Sequence, residues 1–172
     1  VSDNDLLAEA ADDWVQTNGN LAGHRFSTLD QINANNASSL KVDWIYSTGG
    51  STNAQGPVIE HDNLLFFVQD NSVHAIHADS GVRAWRYDYE MPEDFGGQFN
   101  PFFTGKHRGA AISGSNVYAL TSDCTLIALN YKSGEETFSH KIDRPYPRDF
   151  ETTADGNGYF CTSNPVAIPG GQ

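Results

Sequence analysis

Six histidines, two cysteines, 22 acidic and ten basic side chains are the groups in this sequence able to ligate a metal, move a proton or hold an anion. His74 and His77 stand three apart in a run that reads as a strand, so they point to opposite faces. His24, His61, His107 and His140 are scattered, and no metal site is expected from the histidines. Cys124 and Cys161 permit one disulfide or a free buried pair. Asn36-Ala37-Ser38 matches a glycosylation sequon, a pattern short enough to arise often by chance. Arg108, standing before Gly109, carries a planar fork of donors, and Thr162 a neutral hydroxyl. Phe102 and Phe103 form an adjacent aromatic pair.

What positions these residues is a repeat. Setting Asn63 against Asn116 aligns "NLLFFVQDNSVHAIHADSGVRAW" with "NVYALTSDCTLIALNYKSGEETF" without a gap. Asp70 meets Asp123, Ala75 meets Ala128, Ser80-Gly81 meets Ser133-Gly134, and Trp85 meets Phe138. Apolar runs such as Leu64 to Val68 and Val117 to Leu120 read as strands, and Asp, Asn, Ser and Gly between them read as turns. One further short strand precedes each copy, over Pro57 to Glu60 and over Ala110 to Ser113, which gives four strands per copy. "LKVDWIYS" reads as an isolated last strand before the first copy, with Trp44 in the place later held by Trp85 and Phe138. "NPVAIPGGQ", Asn164 to Gln172, reads as the first strand of a third copy.

Four-stranded units recurring at about 40–50 residues predict an all-β fold of β-propeller blades. A blade cannot bury its apolar face alone, and a closed propeller has about 4–8 blades. The expectation is therefore a partial propeller of two full blades plus flanking strands, completed by the rest of a longer chain or by companion subunits. The sequence divides into a short N-terminal helix, loop and closing strand (1–49), a first blade (50–89), an insertion (90–107), a second blade (108–142), and a linker with the first strand of the next blade (143–172). The starts of the three innermost strands align as Ala54-Gln55-Gly56, His107-Arg108-Gly109 and Thr162-Ser163-Asn164, and face the propeller axis.

A net charge of −12 with no basic stripe excludes a nucleic-acid partner and fits a secreted protein. No apolar run approaches the roughly 20 residues needed to span a bilayer. The start at Val1 fits removal of a signal peptide as well as trimming of the chain.

The spacing Ala-x-x-x-x-Ser-Gly-x-x-x-Trp/Phe resembles the tryptophan-docking sequence of quinoprotein (PQQ-dependent) alcohol dehydrogenases, eight-bladed propellers that carry pyrroloquinoline quinone. "DDWVQTNGNLAGHRFSTLDQINANNASSLKVDWIYSTG", Asp12 to Gly49, is similar to that family's opening, and a helix from about Asp3 to Ala11 fits it as well. The resemblance covers essentially the whole chain and the first third or so of a family-length protein. It implies that Arg108 and Thr162 hold the quinone carboxylates. It also implies two departures. Ala54, with Gln55 beside it, stands where a Glu is usual, and Phe102 and Phe103 stand where many members have adjacent cysteines. The calcium ligands, the catalytic base and the tryptophan under the quinone are implied to lie outside this chain, so no catalytic residue is assigned. The implied activity is periplasmic oxidation of an alcohol, polyol or sugar, with electrons passed to a respiratory acceptor such as cytochrome c. The alternative is a non-catalytic propeller scaffold, like envelope assembly lipoproteins built from similar blades.

Overall fold

Short apolar runs separated by Asp-Asn and Gly turns fold into two antiparallel sheets of four strands, each a simple meander. The computed structural model describes residues 1–49, 56–92, 109–123, 125–142, 158–160 and 166–168. The first sheet pairs β1 (Ile59–His61), β2 (Leu64–Gln69), β3 (Ser72–His77) and β4 (Arg83–Asp88) in sequence order. The second pairs β5 (Ala111–Ser113), β6 (Asn116–Leu120), β7 (Thr125–Asn130) and β8 (Glu136–Lys141) in the same way. Two hairpin turns place consecutive residues in the left-handed region, Asp62-Asn63 at φ 54° and 60° and Asp70-Asn71 at φ 51° and 63°. That is the signature of type I′ turns, which match strand twist and favour Asn and Asp.

The repeat is visible in the register. Ala75 pairs with Trp85 and Ala128 with Phe138, and the ladder shifts just after each alanine. The docking expected of the tryptophans is also present. The Trp85 indole N–H donates to Tyr131 O at 2.9 Å, across the two sheets, and its ring lies against Gly134, where a Cβ would sit 2.7 Å from Trp85 Cδ2. Trp44 does the same one sheet earlier: its N–H donates to Ala78 O at 3.0 Å, and a Cβ on Gly81 would fall 2.5 Å from its ring. The stretch 40–47, expected as a strand, forms no ladder among the described residues, nor does Thr48 after it. Among the described residues, the side chains of Trp44 and Tyr46 hold this stretch to the first sheet.

One core runs through both sheets, with Phe66, Val73 and Trp85 on one side and Val117, Ile127 and Leu129 on the other. The N-terminal residues join it through Val15, with Val1 and Leu6 packed alongside. Helix α1 (Asp3–Leu7) opens with a capping box in which Ser2 and Asp5 satisfy each other's main-chain N–H. It stops four residues short of the expected Ala11, because Ala8 is extended and Ala10 is recruited into a parallel bridge with Ser27. Further on, Trp14 pairs with Glu60 (N–H to O, 3.0 and 2.8 Å), so the chain covers the otherwise open edge of β1. Near the C-terminus, β9 (Gly158–Phe160) pairs antiparallel with β10 (Val166–Ile168). The latter lies in the stretch read as a third first strand; β9 carries no repeat signal and was not expected. No helix among the described residues is long and apolar enough to cross a membrane.

Candidate functional site

The end of each sheet at which its first strand begins is where the sequence places its anion-binding residues. Gln55, Phe102, Phe103, Arg108 and Thr162 all lie outside the described residues, as do Ala54, Cys124 and Cys161. Their immediate neighbours do not, and these meet. Gly109 has φ +111°, a backbone that side-chain-bearing residues rarely adopt, and a Cβ there would lie 2.8 Å from Pro57 Cδ. Pro57 leads into β1 and Gly109 into β5, so the starts of two innermost strands are in van der Waals contact. This contact lies one residue from Arg108 and two from Gln55 in sequence.

Behind the rim, the turns at this end are bonded from sheet to sheet. Asn71 accepts from Ser122 N–H at 2.8 Å through its side chain, and from Tyr89 N–H at 3.1 Å through its carbonyl. The Tyr89 hydroxyl donates to Asp123 Oδ2 at 3.1 Å. Asp123 is 1% exposed and gathers the Thr121 hydroxyl, the Thr125 hydroxyl at 3.1 Å, the Thr125 N–H at 3.3 Å and the Lys141 ammonium at 2.7 Å. Burial pushes its carboxyl up, but the hydrogen bonds from Lys141 and Thr121, the Lys141 charge and the Thr125 bond outweigh it and hold the group below its ordinary value. In the first sheet Asp88 is fixed by Ser72 Oγ at 2.6 Å and Arg86 Nη2 at 2.6 Å. The arrangement is a preorganised polar frame, and its chemistry is positional: it fixes backbone without presenting a nucleophile or base.

The opposite end holds a second cluster. His61 Nδ1 lies 2.7 Å from Asp13 Oδ2, and its ring is 5.2 Å from that of Tyr131, whose hydroxyl donates to Asp62 at 3.2 Å. Burial, then the Asp13 charge, raises the carboxyl of Glu60. Among the described residues, no group of three His, Cys, Asp or Glu is arranged to hold a metal. His74 is buried and His77 exposed, as their spacing in one strand requires.

The family described as glucose/ethanol/alcohol dehydrogenase, β-propeller domain, matches residues 14–168, nearly the whole chain. The chain belongs to the PQQ-dependent alcohol dehydrogenases. Among its relatives, the quinoprotein alcohol dehydrogenase PedH of Pseudomonas putida is 31% identical over 147 residues, which are 83% of this chain and 24% of PedH. The 1-butanol dehydrogenase (quinone) of Thauera butanivorans is 33% identical over 125 residues, 71% of this chain and 19% of that protein. Of solved structures, the quinohemoprotein alcohol dehydrogenase from Comamonas testosteroni superposes with a TM-score of 0.67 at 29% identity, covering 75% of this chain and 19% of that one. A europium-containing methanol dehydrogenase gives 0.65 at 26% identity, covering 75% and 23%. The chain thus spans a quarter or less of the length of these relatives.

Sequence reasoning did not find the clusters around Asp123 and His61 in this PQQ-family chain. For Asp123 a signal existed, since the repeat sets it opposite Asp70 at a turn. For the Asp13–His61 pair none did, because the partners are far apart in sequence and outside the repeat.

Proposed function

We propose that this chain supplies one wall of the cofactor pocket of a PQQ-dependent dehydrogenase, periplasmic or secreted, that oxidises an alcohol, polyol or sugar. Its blades occupy residues 50–89 and 108–142, with the insertion 90–107 between them. Bound at the axis, the quinone would supply a two-electron acceptor for the substrate. The residues of this chain bind and orient. Arg108 and Thr162 hold the carboxylates, Gln55 offers an amide where a Glu is usual, and Phe102 and Phe103 stack on the ring in place of a disulfide. The metal, calcium in this reading, and the carboxylate base belong to other blades.

The observation that carries this reading is the contact of Gly109 with Pro57, in a chain matched by the family along nearly its whole length. It brings the starts of two inner strands together, with the Pro57 ring packed on a position that has no side chain of its own. Electron transfer to cytochrome c is supported only by analogy: one relative in Thauera butanivorans is named 1-butanol dehydrogenase (cytochrome c). The non-catalytic scaffold remains the second reading, because Ala54 and the Phe102-Phe103 pair depart from the usual quinone contacts.

The deciding experiment is titration of the native protein, with every polypeptide that purifies with it, against pyrroloquinoline quinone, followed by absorbance. Tight binding, weakened at least tenfold by Arg108→Ala with an unchanged melting temperature, is expected, since a charged bidentate pair contributes roughly 1.5–3 kcal/mol. Absence of binding in the unsubstituted protein would favour the scaffold.

A further inference from the structure

His74 sits in β3 with 1% of its surface exposed, at the position where the second copy has Ile127. Its ring is stacked on Phe67 of β2, with centroids 4.7 Å apart and planes at 12°. Nδ1 is 3.2 Å from the hydroxyl of Tyr46. Tyr46 also meets both rings edge-on, 6.0 Å from each. Tyr46 lies two residues beyond Trp44, whose ring is docked on Gly81. The contacts of segment 40–48 with the first blade therefore include an indole on a glycine and a tyrosine on a buried imidazole.

We propose that the tyrosine–imidazole contact is an acid-sensitive latch, in which a proton taken up by His74 loosens Tyr46 and weakens the hold of segment 40–48 on the first blade. A neutral imidazole satisfies Nδ1 with the Tyr46 hydroxyl, whichever of the two carries the shared proton. An imidazolium can still donate from Nδ1 to the Tyr46 oxygen, but it adds a charge and a second N–H donor at Nε2 in a site almost without water. The charged groups around it give little help. Arg86 and Arg83 of β4 repel a cation. Asp88 and Asp70 attract one, but Asp88 is already engaged by Ser72 and Arg86. Phe67 on β2 is apolar, and Tyr46 on the segment is neutral.

Burial first, and then the Arg86 charge, hold the imidazole down at about 4, against an ordinary value of 6.5. A histidine whose docked-state pKa is depressed favours the docked state fully above 6.5. That preference is lost as pH falls from 6.5 towards 4. Over this window the ratio of docked to released Tyr46 falls about tenfold per pH unit, the value for one proton.

The test uses the chain with Trp14→Phe and Trp85→Phe; the second of these places at 85 the residue found at 138 in the repeat. Trp44 is then the sole tryptophan, and its emission is followed from pH 7 to pH 4. A red shift that grows below pH 6.5, and that His74→Ile moves to lower pH or removes, is expected. The same acid transition with and without His74→Ile overturns the proposal. Because a substituted core can fail to fold, the imidazole carbons of His74 are also titrated by NMR in the unsubstituted chain. Protonation near pH 6.5 that leaves the Tyr46 ring signals unmoved overturns it equally.

Discussion

Asp123 shows how much one side chain can organise in a blade. A carboxylate taken out of water needs several donors, and this one has hydroxyls from both flanking threonines, a hydroxyl from Tyr89 of the preceding blade and the Lys141 ammonium. Asp123→Asn keeps the shape but replaces an anion with an amide whose nitrogen faces other donors. A loss of about 2–4 kcal/mol in urea denaturation is expected, since Lys141 is half-exposed and water recovers part of its solvation. The sign of the pH dependence follows from the same contacts. A carboxyl held below its ordinary value stabilises the fold above that value, and the contribution disappears as pH falls through the folded one. Asp123→Asn should therefore become progressively less harmful as pH falls below the ordinary carboxylate value, and least harmful once the native carboxylate, held lower still, has itself protonated. A loss that stays constant from pH 7 to pH 3 would count against the ionised state of Asp123.

At the scale of elements, blades were legible because their information is local and doubled. The aligned copies gave the strand number, the meander order and the Ala–Trp and Ala–Phe pairings later seen in the register. Strand ends came within a residue or two, since Asp-Asn and Ser-Gly turns mark them chemically. What escaped was non-local. Helix α1 was read too long because nothing in the helical stretch announces that Ala10 will bridge Ser27. The cover over β1 escaped because Trp14 and Glu60 belong to no shared motif. The docking of one blade on the next is the element-level device most open to test. Gly134 at φ +75° lies under Trp85, whereas Gly114 at φ +56° has nothing within 4 Å of where a Cβ would be. Gly114→Ala carries only the left-handed backbone cost, about 1–2 kcal/mol. Gly134→Ala adds displacement of a ring that is buried and hydrogen-bonded, for a total of about 3 kcal/mol or more. Thermal unfolding of the two variants side by side measures the difference. Equal losses would mean that the indole gives way freely and that docking contributes little.

The whole molecule is apolar where a propeller would continue. Val42 is 77% and Ile45 86% exposed on segment 40–48, and Phe138 is 51% exposed on β8, every residue of which is exposed. In the repeat Phe138 stands where Trp85 does, yet Trp85 is buried because a following blade supplies Gly134 and Tyr131 O. Phe138 has no such turn over it among the described residues. Stacking of further repeats would bury these surfaces, and the chain spans 24% of the length of PedH. By itself, then, the chain should cover them with copies of itself, as exposed apolar patches do. Sedimentation velocity at rising concentration is expected to show reversible self-association, and Ile45→Asp with Phe138→Asp to return the chain to a monomer. Since both side chains already face solvent, the pair should change the stability of the monomer by less than about 1 kcal/mol. Association that survives both substitutions would place the sticky surface elsewhere, with Leu21, Phe26 and Ile32 of the N-terminal segment, 59–64% exposed, the next to change.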